Sequence, residues 1–268
     1  MVVPNHIVAA VNDADVTTVV AWLDGGGDVN DSVNGSSSFP EGDTLLMVIP
    51  QSGGVSSQHI ELAKILLQRG ADVNRVPDES EDRYSALHCC LDCLSDSTLE
   101  SKRAAILEII GIYLAAGATL NHKNWREETP LYMALKYKNW CTTERRRWAF
   151  NSVKLLLRAG APLDAVGGNS TAEDVMNGNL VVDVQGDDEH YIACQQLISD
   201  VRAAGSWKAY ARAPPKALLR LRSLVARNRA RSVKRLRART PREIELLLAP
   251  AFPNELCWRV LEYWNPRA

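Results

Sequence analysis

The sequence predicts an all-α fold of stacked helix pairs, and three observations carry that prediction. A pattern that closes a helix occurs four times, and a second pattern that opens a helix alternates with it. The composition, 46% hydrophobic with few aromatics and many Ala, Leu and Val residues, supplies enough apolar surface for a core and suits helices packed on helices.

The closing pattern reads Trp22-Leu23-Asp24-Gly25-Gly26-Gly27-Asp28-Val29-Asn30, then Leu66-Leu67-Gln68-Arg69-Gly70-Ala71-Asp72-Val73-Asn74. It returns as Tyr113-Leu114-Ala115-Ala116-Gly117-Ala118-Thr119-Leu120-Asn121 and as Leu156-Leu157-Arg158-Ala159-Gly160-Ala161-Pro162-Leu163-Asp164. Two apolar residues end a helix that packs on its neighbour. The glycine follows because it adopts positive φ without a Cβ clash. Recurrence at long spacing implies stacked units rather than one irregular core.

The opening pattern appears as Thr44-Leu45-Leu46-Met47, Ser85-Ala86-Leu87-His88-Cys89-Cys90 and Thr129-Pro130-Leu131-Tyr132-Met133-Ala134, with a weaker copy at Ser170-Thr171-Ala172-Glu173-Asp174-Val175. A Ser or Thr hydroxyl caps free backbone N–H groups, and Pro is tolerated at the first helical position.

Together the two patterns resemble the ankyrin repeat, with its Thr-Pro-Leu-His helix start and Gly-Ala-Asp-Val-Asn helix exit. The well-matched copies lie at 44–74, 85–121 and 129–164, and 5–30 and 170–204 read as degenerate end caps. The resemblance implies an ankyrin-repeat solenoid of about five units over 1–204, made of helix-turn-helix units joined by hairpin fingers. The fingers fall at roughly 75–84, 122–128 and 165–169. Spacing departs from the family: the glycines at 26, 70, 117 and 160 are 44, 47 and 43 apart, against roughly 33 in an ordinary unit. The surplus includes Ser32–Gly42, which reads as a loop, and Ser95–Lys102 and Lys138–Arg147, which lengthen the helical pair or enlarge its turn.

His88-Cys89-Cys90-Leu91-Asp92-Cys93 packs four potential ligands into six residues. In the repeat register, however, His88 takes the position that ties adjacent hairpins, and Cys89 and Cys90 take core positions where a thiol acts as a small hydrophobe. With no second Cys/His cluster to complete a tetrahedral site, no metal and no cofactor are expected. No catalytic residues are expected either: the sequence contains no phosphate-cradling loop, nucleophile elbow or His-Glu zinc helix. The chain should therefore not be an enzyme. Six scattered cysteines fit a reducing compartment, and there is no long apolar run and no leader pattern. The expected location is cytoplasmic, with a nuclear alternative, and no membrane association.

Charge divides the chain. Residues 1–200 hold 15 Lys/Arg against 28 Asp/Glu, a balance of −13, whereas Arg202–Arg242 holds 14 Lys/Arg and no acid. A step this large, reinforced by Pro214-Pro215, marks a linker at 205–215 and a new segment at 216–268. Within that segment Leu218, Leu221 and Leu224 recur at helical spacing among arginines. This basic face could be solvated, lie against the acidic units, meet an acidic protein or bind nucleic acid. The last is disfavoured because no reader module accompanies the arginines. Thr240-Pro241-Arg242-Glu243 then forms a capping box, and Pro253 opens a final helix.

That last helix resembles the opening helix of the F-box, and the truncated F-box that ends poxviral ankyrin proteins (the PRANC segment), and less closely the SOCS box. Pro253, Glu255, Leu256, Val260 and Leu261 match the F-box positions; Phe252 and Trp264 replace its usual leucines. In those families the box docks a Skp-type or elongin-type adaptor of a cullin ubiquitin ligase while the repeats hold the target. The function so implied is a non-catalytic protein-protein interaction module serving as a ligase substrate receptor. A stand-alone scaffold or inhibitor with a C-terminal cap is the alternative, and a basic-tailed nucleic-acid-associated protein the third. The target would sit on the concave ankyrin face. The residues expected to contact it are Arg83, Lys123, Trp125 and Arg126, with Trp125 at a fingertip, either as an anchor or packed on the adjacent finger.

Overall fold

A computed structural model describes residues 2–35, 39–77, 83–136, 142–164, 166–180 and 189–212. The described residues are predominantly helical, as the patterning requires. The chain divides after Ser199 into two units.

In the first unit the helices come in pairs: α1 (Asn5–Asn12) with α2 (Val16–Asp24), α3 (Leu45–Gln51) with α4 (Ser57–Gln68), α5 (Ala86–Asp96) with α6 (Glu100–Ala115), and α7 (Pro130–Leu135) with α8 (Thr143–Ala159). The first members stack in chain order, α1 on α3, α3 on α5, α5 on α7, and α7 on α9 (Ala172–Leu180). The second members stack as α4 on α6 and α6 on α8. The result is two layers of helices with the core between them.

The layers differ in how they are buried. The inner helices are covered almost all round: Leu45 to Pro50 are all buried, as are Ala86 to Leu91. The outer helices bury a single stripe at 3.6-residue period, seen in Ile106, Ile109, Ile110 and Tyr113 of α6 and in Val153, Leu156 and Leu157 of α8. Each fully buried aliphatic side chain contributes roughly 1.5–3 kcal/mol. Tyr113 adds a polar tie, its hydroxyl donating to the Leu46 carbonyl at 2.7 Å and so joining α6 to α3. The Tyr191 hydroxyl of α10 (Glu189–Ala204) donates likewise to the Met176 carbonyl of α9.

The four helix exits use one device. Gly26, Gly70, Gly117 and Gly160 have φ of 94°, 89°, 90° and 99°. At the second exit Gly70 N–H donates to the Leu67 carbonyl at 3.1 Å and Ala71 N–H to the Leu66 carbonyl at 3.0 Å, the paired bonds of a Schellman motif. The same pair of bonds recurs at each of the other three glycines. In the second unit, whose described part is 200–212, Gly205 also has positive φ, 78°. It lies 45 residues beyond Gly160, so the exit spacing continues past residue 164.

One expectation changes on contact with the structure, and another resolves into one of its alternatives. Ser32–Gly42 is not all loop: Ser32–Val33 is a strand, β2, paired in parallel with Val2–Val3, β1. The one pair that is buried, Val3 with Val33, accounts for this, since both side chains join the core. In the surplus at Ser95–Lys102, helix takes most of the extra residues. Helix α5 runs to Asp96 and α6 starts at Glu100, leaving only 97–99 as turn. Lys138–Arg147 is described only from residue 142, and α8 begins at Thr143. The basic stretch beyond residue 212 and the whole F-box-like segment, including Pro253, Glu255, Leu256, Val260 and Leu261, lie outside the described residues.

Candidate functional site

The expected contact residues lie on the turns that join one helix pair to the next, and these turns are held by side chains that reach across the seams. Asn30 donates through Nδ2 to the Gly70 carbonyl at 3.0 Å, and its Oδ1 accepts from Asp72 N–H at 2.7 Å. Asn74 repeats this one unit on, with the Gly117 carbonyl at 3.0 Å and Thr119 N–H at 2.6 Å. The next seam cannot repeat it, because the residue corresponding to Thr119 is Pro162, which has no N–H to give.

Histidines make a second kind of tie. Within α5 His88 is buried, with Nδ1 2.7 Å from Ser85 Oγ and Nε2 3.1 Å from the Glu128 carbonyl. A carbonyl only accepts, so Nε2 carries the hydrogen and Nδ1 receives the Ser85 hydroxyl. Both ring nitrogens are thereby occupied, and burial pushes the imidazole down to about 4. Cys89 and Cys90 are buried with pKa raised by burial, as core thiols rather than ligands. Among the described residues no group of His, Cys, Asp and Glu could hold a metal. His59 of α4 shows the same arrangement, with Nδ1 at Ser56 and Nε2 3.1 Å from the Asn12 carbonyl. Sequence reading missed His59, although its Ser-x-x-His spacing copies Ser85 to His88.

The turn at 122–128 is built around a buried asparagine. Asn124 Oδ1 accepts from Arg126 N–H at 2.9 Å and Glu128 N–H at 3.0 Å, while its Nδ2 donates to Glu128 Oε2 at 2.9 Å. Glu127 has φ of 60°, and its carbonyl accepts from Gly168 N–H at 3.1 Å, locking this turn to the next. A further backbone bond runs from Thr129 N–H to the Val166 carbonyl at 2.9 Å. On the other side His122 Nε2 is 3.0 Å from the Arg83 carbonyl.

This frame sets Lys123, Trp125 and Arg126 on one short turn, and the His122 contact links Arg83 to it. Trp125 is 51% exposed, which leaves much of its indole outside the adjacent turn. The Arg126 guanidinium carbon lies 4.6 Å from the Trp125 ring centroid, a cation–π stack. Lys123 Nζ pairs with Glu127 Oε2 at 3.2 Å, and Lys136 Nζ pairs with the buried Glu128 carboxylate at 2.7 Å. An exposed aromatic with a stacked guanidinium can supply apolar area and in-plane N–H donors to a partner.

Elsewhere, a crevice between α5, α7 and α8, lined by Leu91, Leu94, Ala134 and Trp148 among others, has room for about one water. No helix of the described residues is long and apolar enough to cross a membrane. No family model matches the chain, and no curated protein is significantly similar to it.

Proposed function

We propose that the chain is a non-catalytic protein-binding module of ankyrin type, which holds its target at the 122–128 turn and recruits a Skp-type or elongin-type adaptor through residues 253–261. The observation that carries the binding role is the half-exposed Trp125, stacked under Arg126 on a turn fixed by a buried asparagine. Trp and Arg are the residue types that most often dominate interface energetics, and a rigid turn lowers the ordering cost of binding. Support for the ankyrin assignment comes from the repeated glycine exits, the layered helix pairs and the seam-crossing asparagines. The adaptor role rests on the sequence match alone.

Affinity purification from cells with quantitative comparison of variants tests both halves. Proteins lost on Trp125→Ala but kept on the double change Leu256→Asp, Leu261→Asp are targets. Cullin adaptors should show the reverse. If the wild-type chain retains no such adaptor, the ligase role is wrong and the C-terminal segment acts as a cap on a stand-alone scaffold.

A further inference from the structure

We infer that the 122–128 turn takes a protein segment carrying a single carboxylate beside an apolar residue, the carboxylate on Arg126 and the apolar group on Trp125. The inference deepens the binding role proposed for this turn and rests on it. Its basis is the charge pairing within the turn. Glu127 is engaged by Lys123, and Glu128 is turned inward to Asn124 and Lys136. Both carboxylates are therefore taken by other cations, and the Arg126 guanidinium has no carboxylate partner among the described residues.

Stacking uses only the face of that guanidinium. Its N–H donors lie in the plane and remain able to grip a carboxylate in a two-pronged fashion. Arg126 is also exposed, and its own backbone N–H is pinned by Asn124, so the cation sits on a fixed base. The indole beside it offers a half-exposed apolar surface.

Size and charge narrow the partner. A nucleic-acid backbone needs several phosphate contacts, and among the described residues this turn offers a single cation without a carboxylate partner. Residues 1–200 carry a balance of −13, so a long acidic run would be repelled by the surrounding field. One carboxylate flanked by an apolar side chain satisfies both limits.

A displayed random-peptide library selected on the full chain, with counter-selection on Trp125→Ala, tests this. Enriched peptides should share an Asp or Glu next to Leu, Met or an aromatic. Arg126→Ala should weaken them about tenfold or more, Arg126→Glu should abolish binding, and Arg126→Lys should fall between wild type and alanine. Replacing the peptide's Asp by Asn should cost a similar factor. Both residues are exposed, so an unchanged urea midpoint verifies folding of each variant. Peptides that need Trp125 but carry no carboxylate and ignore Arg126 would overturn the partner class while leaving the binding role standing. If no peptide is enriched over Trp125→Ala, both fail. Retention of a random single-stranded RNA that depends on Trp125 would overturn the inference in favour of nucleic acid.

Discussion

His88 makes stability depend on pH in a direction that the structure fixes. The imidazole is fully buried, and Nδ1 accepts from Ser85 while Nε2–H donates to the Glu128 carbonyl. A second proton would have to enter at Nδ1, displacing the Ser85 hydrogen bond and placing a charge where His122 and Lys136 already repel it, with Glu128 the one opposing carboxylate. The folded group is thus held at about 4, against an ordinary 6.5 in the unfolded chain. Between those values the unfolded state binds more protons, so the stabilisation is present above pH 6.5 and is lost as pH falls toward 4. Integrated for one site, the loss is about 2 kcal/mol between pH 7 and pH 5. His59, also lowered by burial, acts in the same direction. Urea denaturation of the wild-type chain and of His88→Gln at pH 7, 6 and 5 isolates the effect, since glutamine does not titrate. The variant should start less stable and show a flatter pH dependence, by about that amount. Parallel curves for the two proteins, or a wild type that gains stability on acidification, would refute the buried neutral imidazole.

Two further pairs of substitutions discriminate by position. Asn74→Ala removes two cross-seam hydrogen bonds and should cost about 1–2 kcal/mol. Asn121→Ala, at the same register position one unit on, where Pro162 stands in place of an N–H donor, should stay within about 0.5 kcal/mol; equal costs in urea melts would contradict the cross-seam role of Asn74. Gly111→Ala places its methyl in open space on α6 and should stabilise by roughly 0.5–1 kcal/mol. Gly167→Ala should lower the melting temperature instead, because the new Cβ would fall within the Tyr132 ring, and the opposite order would count against that packing.

What could be read from the sequence was whatever a residue type enforces locally. A glycine between an apolar pair and a polar-apolar-Asn run needs no tertiary partner to be recognised, since only glycine takes that φ freely. Thr129 with Pro130, and Thr171 with Asp174, state their caps in the same local way; Thr171 Oγ1 accepts from Asp174 N–H at 3.2 Å while Asp174 Oδ2 accepts from Thr171 N–H at 2.8 Å. The strand at Ser32–Val33 was missed because its partner lies some 30 residues away at Val2–Val3, and two residues carry no period. The repeat register puts Trp125 at a fingertip, but its exposure depends on where the next turn lies. The pairing of Glu127 and Glu128, which leaves Arg126 without a carboxylate partner among the described residues, depends on Lys136, eight residues beyond Glu128, and on side-chain direction, neither of which spacing reports.

The residues that fix the 122–128 backbone and those that meet solvent are different residues, a separation that the binding role proposed for this turn would use. Asn124 is 1% exposed, and its side chain bonds to two backbone N–H groups and one carboxylate; Thr129 and Gly168 secure the turn to its neighbour. None of these contacts uses the indole of Trp125 or the guanidinium of Arg126. Changing the tip therefore leaves the hydrogen-bonded frame intact, whereas changing the frame moves the tip. The same division runs through the stack: Asn30, Asn74, His59 and His88 spend their polar atoms on neighbouring backbone, which leaves the exposed positions of each turn free to differ. A surface arranged this way can acquire a partner without repaying its cost in stability, and at Trp125 and Arg126 it sets an exposed aromatic beside a cation that has no carboxylate partner among the described residues.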